Sequence, residues 1–202
     1  MSAKNKICLW AFRCVILACS FAIPLSEAAA SPITIDGQWY QFGFDPNHSP
    51  MAAGCLPTDP TGVPCRPPDP GVNSLFLGTP PWTFSSAVTV QFTITDAFLL
   101  GDYFDVYDFG TLIGSTPIVA LGANCGLNPD VCLADPRFSH AVFTLAPGAH
   151  SITIGVHEAQ ILGEGFFRVT AVPEPSTLLL LGSSVAGLLV RRRARKSKRR
   201  GS

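Results

Sequence analysis

The chain predicts an all-β body, an antiparallel β-sandwich of jelly-roll kind, on three observations. Short stretches alternate apolar and polar residues with period 2. The body carries no sustained 3.6-residue periodicity, and Pro, Gly and Asp clusters separate the stretches at the spacing of strand turns.

In chain order, Tyr40, Phe42 and Phe44 form the first inward set, which leaves Trp39 on the opposite face. Residues 45–73 are dense in proline and are expected to be irregular, pinned by cysteines rather than by backbone ladders. The clearest strand is 88–95, where Val88, Val90, Phe92 and Ile94 alternate with Thr89, Gln91, Thr93 and Thr95. Phe104 and Val106 point one way from 102–107, with Tyr103 and Tyr107 on the other face. Asp108-Phe109-Gly110 then turns the chain into a strand at 111–115. Ala141, Phe143 and Leu145 lead through the turn Ala146-Pro147-Gly148-Ala149 to Ile152, Ile154 and Val156. Phe167, Val169 and Ala171 form a last strand that runs straight into Pro173.

The two ends differ from the body. Lys4 and Lys6, the apolar stretch 15–25 and Ala28-Ala29-Ala30 have the layout of a secretory signal peptide, expected over 1–30. At the other end Pro173-Glu174-Pro175 precedes a membrane segment, 176–190, and then a run of arginines and lysines to residue 200. Its apolar part is short against the roughly 20 residues of a comfortable span. The basic run keeps the end of the chain inside while the rest faces out. Between them lies an exported body, 31–172, long enough for one domain with its own core.

The formal net charge of zero averages unlike parts, because the body sets twelve carboxylates against Arg66, Arg137 and Arg168 and stands at −9. Phosphate binding needs a basic face, so nucleic acid is excluded as a partner. Cys55, Cys65, Cys125 and Cys132 are an even set in an oxidising compartment. Of the three pairings, Cys55 with Cys65 and Cys125 with Cys132 is preferred, because each closes one Pro/Gly-rich loop. Neither spacing is that of a zinc knuckle.

The C-terminal order of Pro-Glu-Pro motif, membrane helix and basic tail, 173–200, resembles the PEP-CTERM sorting signal of exported bacterial proteins. The resemblance implies exosortase as a partner acting at Pro173, Glu174 and Pro175. It also implies brief residence in the inner membrane, then the cell surface or a matrix of extracellular polysaccharide. The same segment also carries the label ice-binding protein C-terminal domain, a shared tail that implies nothing about ice. Residues 81–172 are similar to a recurrent secreted β-domain, through stretches such as Thr95-Asp96-Ala97-Phe98, Phe104-Asp105-Val106, Asp130-Val131-Cys132 and Gly148-Ala149-His150. That likeness implies fold and export, and no activity.

Catalytic patterns are weak. His157-Glu158 opens an H-E-x-x-H motif whose last position is Ile161, so a zinc ligand is missing. No nucleophile elbow or Walker loop occurs, and Ser139 and His140 face opposite ways on a strand. Asp96, Asp102, Asp105 and Asp108 are the candidate calcium ligands, with solvated edge charge as the plainer reading and a glycosidase pair as the remotest. Trp39, Tyr103 and Tyr107 are the candidate glycan contacts, as aromatics on open strand faces. An ice-binding plane would need arrayed Thr-x-Thr rungs, and Thr93 with Thr95 supplies one. The expectation is an exported, non-enzymatic envelope or matrix protein without cofactor, its body structural or glycan-binding. A secreted carbohydrate-active enzyme is the alternative.

Overall fold

The computed structural model describes residues 30–47, 49–99, 101–122, 124–157 and 162–173. The signal segment up to residue 29, Glu174, Pro175, the membrane segment and the basic tail lie outside the described residues, as do Glu158 and Ile161.

In chain order the elements are β1 (Ser31–Pro32), β2 (Trp39–Phe44), β3 (Ser74–Phe76), β4 (Trp82–Ser86), β5 (Val90–Leu99), β6 (Tyr103–Asp108), β7 (Thr111–Ser115), β8 (Asn124–Gly126), α1 (Pro129–Ala134), β9 (His140–Leu145), β10 (Gly148–His157) and β11 (Gly163–Ala171). One sheet runs β1-β4-β10-β6-β7; the other runs β3-β2-β11-β5, with β8 and β9 both paired to β5. The fold is thus mostly β, in two sheets.

Both sheets are mixed, which corrects the purely antiparallel expectation. β1 lies parallel to β4 and β2 parallel to β3. A parallel neighbour needs a long crossover, and the proline-rich segment between β2 and β3 is that crossover. It folds around Asp59, which is fully buried. The carboxylate accepts from Thr61 N (2.9 Å), Thr61 Oγ1 (2.9 Å), Thr79 Oγ1 (2.7 Å) and Gly54 N (3.0 Å). Burial works against the charge, yet these hydrogen bonds outweigh it and hold Asp59 below the usual carboxylate range. The Cys55–Cys65 bridge ties the same segment.

Alternation delivers the expected inward residues of both sheets to one core. Tyr40, Phe42 and Phe44 of β2 and Phe167 and Val169 of β11 meet Phe104 and Val106 of β6 and Ile152, Ile154 and Val156 of β10. Rings dominate it: Phe42 sits edge-on to Phe104 at 5.3 Å between centroids. A second cluster forms on the outer side of the β2–β11–β5 sheet from Trp39, Phe166 and Ala97, covered by Leu127, Cys132 and Phe138.

α1 was not expected. At six residues it is too short to show a helical period. Its start is nonetheless encoded, since the Asn128 side chain accepts from Asp130 N (3.1 Å) and Val131 N (3.4 Å) and Pro129 opens the first turn. Cys125–Cys132 joins β8 to this helix, so the two preferred cysteine pairs are the pairs formed.

Candidate functional site

Alternation along β6 sends Phe104 and Val106 inward and leaves Tyr103, Asp105 and Tyr107 on the outer face of its sheet. The ladder sets Gly155 of β10 opposite Asp105 and His157 opposite Tyr103. Tyr103 stacks on the His157 ring, 4.9 Å between centroids at 13°. His157 Nε2 lies 2.8 Å from Asp105 Oδ2, Ser115 Oγ donates to Asp105 Oδ1 (2.5 Å), and the Tyr107 hydroxyl donates to Oδ2 (3.4 Å). The Ser115 hydrogen bond is the main reason the Asp105 carboxyl is held below the usual range; slight burial opposes it, and His157 and Tyr107 add to it. Ser115 and His157 bind different oxygens of one carboxylate, so this set is no nucleophile–base pair.

Without a side chain at 155, the Tyr107 ring can lie down on the sheet. Its Cε2 is 3.3 Å from where a Gly155 β-carbon would stand. The result is a low aromatic surface rimmed by a carboxylate and a hydroxyl. Gly155, Ser115 and His157 were not singled out for this face by sequence, although a glycine inside a strand is itself a sign of close approach.

Trp39 is elsewhere. Its expected open face is corrected, because the ring is buried to 5% exposure on the outer side of the other sheet. The Arg168 guanidinium covers it at 4.4 Å, and its Nε1 donates to Asp130 Oδ1 (3.2 Å). Beside this stack opens a cleft of about 460 Å³, lined among others by Asp36, Gln38, Asn73, Asn128, Asp130 and Arg168.

The candidate calcium quartet is not brought together, and among the described residues no group of three or more metal-ligating side chains gathers. Asp105 is on the outer face, while Asp108 Oδ2 lies 2.7 Å from His150 Nδ1 beneath Phe84. Asp96 follows Ile94 onto the inner face and is fully buried. Its Oδ1 accepts from Ala97 N (2.8 Å) while Oδ2 accepts no hydrogen bond. Burial pushes its pKa up to about 9, neighbouring Asp102 adds to the rise, and nearby backbone amides oppose it. Burial also raises Asp102, to about 6. An interior carboxyl cannot reach a sugar, so this pair is not arranged as a glycosidase pair. Thr93 and Thr95 are buried too, which removes the one Thr-x-Thr rung from the surface.

The last strand leads to the sorting motif. Val172 N donates to Thr89 O (2.9 Å), so the folded body ends one residue before Pro173. Residues 171–194 match the PEP-CTERM protein-sorting motif. No curated protein and no solved structure matches the chain. By that motif, this is an exported protein, processed by exosortase and sorted to the cell surface through the membrane.

Proposed function

We propose that the exported body, 31–172, is a non-enzymatic β-sandwich of jelly-roll kind that binds neutral glycan in the envelope or extracellular matrix. Exosortase places it there after recognising Pro173-Glu174-Pro175 and removing the tail that follows. The observation that carries the reading is the surface where Tyr107 lies over Gly155, beside the Tyr103–His157 stack and the Asp105 carboxylate. A sugar ring offers C–H groups to an aromatic face and hydroxyls to a carboxylate at its edge, and this surface supplies both. The acidic body favours uncharged chains over anionic ones.

Nothing in this reading involves ice or a metal. The burial of Asp96, which keeps it from acting with Asp102 as a glycosidase pair, favours a binder over the carbohydrate-active alternative. The test is binding and hydrolysis of the same immobilised neutral glycans by the exported protein and by Tyr107→Ala. Binding that falls in the variant, with no sugar released, supports the proposal. Wild-type hydrolysis would turn the reading to the enzyme, and no glycan binding would leave a purely structural body.

A further inference from the structure

We infer that the cleft beside Trp39 is a second saccharide site, specific for uncharged, hydroxyl-rich rings. It rests on the glycan-binding reading for the kind of ligand, but it is a separate place. Arg168 alternates with the inward Phe167 and Val169, and Trp39 precedes the inward Tyr40, so the cleft is on the outer side of the second sheet. The Tyr107 surface is on the outer side of the first.

The class of ligand follows from what the cleft leaves unmet. The Arg168 side chain is partly exposed at the cleft wall, and its NH1 reaches Asp130 Oδ1 only at 3.5 Å. A guanidinium with donor capacity to spare at the cleft wall favours a ligand that brings an acceptor oxygen. At the rim Asp36 Oδ1 is held by Thr34 Oγ1 (2.8 Å) and Gln38 N (3.0 Å), leaving Oδ2 as an acceptor for a ligand hydroxyl. Asp130 likewise commits Oδ1 to Trp39 and Arg168.

Gln38 and Asn73 fix each other, Asn73 Nδ2 donating to Gln38 Oε1 (3.1 Å) and Gln38 Nε2 to Asn73 O (2.8 Å). The planar groups around the cleft are therefore set before any ligand arrives. An anion would meet two carboxylates against one guanidinium. A cation would face the Arg168 guanidinium. A hydroxylated ring both donates and accepts, and the volume of about 460 Å³ is within the range of small-ligand sites.

A body with one site on each sheet bridges two polysaccharide strands, which makes glycan binding and a structural matrix role the same activity.

The test uses the Trp39 indole N–H as a local reporter in ¹⁵N-labelled exported protein, with the fully buried Trp82, whose Nε1 donates to Gly78 O (2.9 Å), as internal reference. Cellohexaose, maltohexaose and mannohexaose are titrated to millimolar concentration, with polygalacturonate as the anionic contrast. The inference expects at least one neutral hexaose to move the Trp39 signal, equally in Tyr107→Ala, and polygalacturonate to leave it in place. Asp36→Asn keeps the Oδ1 acceptor and so keeps the fold, and should weaken this response by about tenfold, the worth of one hydrogen bond to a charged group. Binding of a hexaose with no movement of Trp39 would overturn the cleft site while sparing the Tyr107 surface. A Trp39 response with total binding unchanged in Tyr107→Ala would do the reverse. A response undiminished in Asp36→Asn would also overturn it, as would no binding at all, which sinks both readings.

Discussion

Tyr107 lies over Gly155, with its Cε2 3.3 Å from the position a β-carbon on that glycine would take. The contact joins β6 to β10 across the outer face and decides whether the phenol ring lies flat or stands up. Gly155 has no positive φ, so the backbone accepts any residue and the glycine serves the ring above it.

Gly155→Val should therefore fold. A β-branched side chain suits a strand, so the melting temperature should stay within a few degrees of wild type. The valine methyls would lift the Tyr107 ring, and glycan affinity at this face should fall by about tenfold, the loss of one ring contact. Thermal unfolding and calorimetric titration of the same sample check the two halves.

Asp96 makes stability depend on pH with a definite sign. Its folded pKa of about 9, and that of about 6 for Asp102, lie above the ordinary aspartate value of 3.8. The folded state then holds protons that the unfolded chain has released, so stability is greatest near the unfolded value and falls as pH rises. The Asp102 share is lost by about pH 6, and the Asp96 share continues to about pH 9. Asp96→Asn should remove most of this slope and raise the melting temperature at pH 8 by roughly 3–6 °C. Melting curves at pH 5 and pH 8 for both proteins are the check, and equal slopes would refute the assignment.

Removing the Cys125–Cys132 bridge by replacing both cysteines with alanine should cost about 2 kcal/mol, as expected for so short a loop. Cys132 is fully buried beside Trp39 and Phe138, so the damage should spread to the Trp39 environment. Unreduced peptide mass spectrometry establishes the bridge, and chemical denaturation of the variant gives the magnitude.

The strands that were legible in the sequence are those whose alternation reports a single buried face. Phe104 and Val106 against Tyr103 and Tyr107, and Ile152, Ile154 and Val156 against their neighbours, read correctly because water remains on one side. On β2 the inward set Tyr40, Phe42 and Phe44 was legible but the open outer face was not, because all six residues of the strand are buried. The crossover segment reaches its outer side, where Gln41 Nε2 donates to Arg66 O (2.9 Å) and Arg66 N donates to Glu164 Oε1 (2.6 Å). No local pattern announces such a cover.

Trp39 failed as an open aromatic for the same reason. Its lid comes from Arg168 and Asp130, far along the chain, and residue type alone could not place them. The face of Tyr103 and Tyr107 was legible through parity. Its completion by His157, Gly155 and Ser115 depends on ladder register, which pairing sets and composition does not.

If exosortase reads Pro173-Glu174-Pro175, then Glu174→Ala should shift the protein from the envelope or medium to a longer, membrane-held form. Proline is disfavoured inside a helix, so the sequence Pro173-Glu174-Pro175 predicts an extended strip before the apolar run, within reach of an enzyme. Fractionation followed by immunoblotting would show the shift, and an unchanged distribution would count against recognition of the glutamate.

The most direct test of the account is the intact mass of the wild-type protein recovered from envelope and medium fractions of a host with active exosortase. The account predicts a chain that has lost the signal segment 1–30 and residues 177–202. A mature chain that still carries the basic tail would contradict it, and would leave a plain membrane anchor in place of a sorting signal.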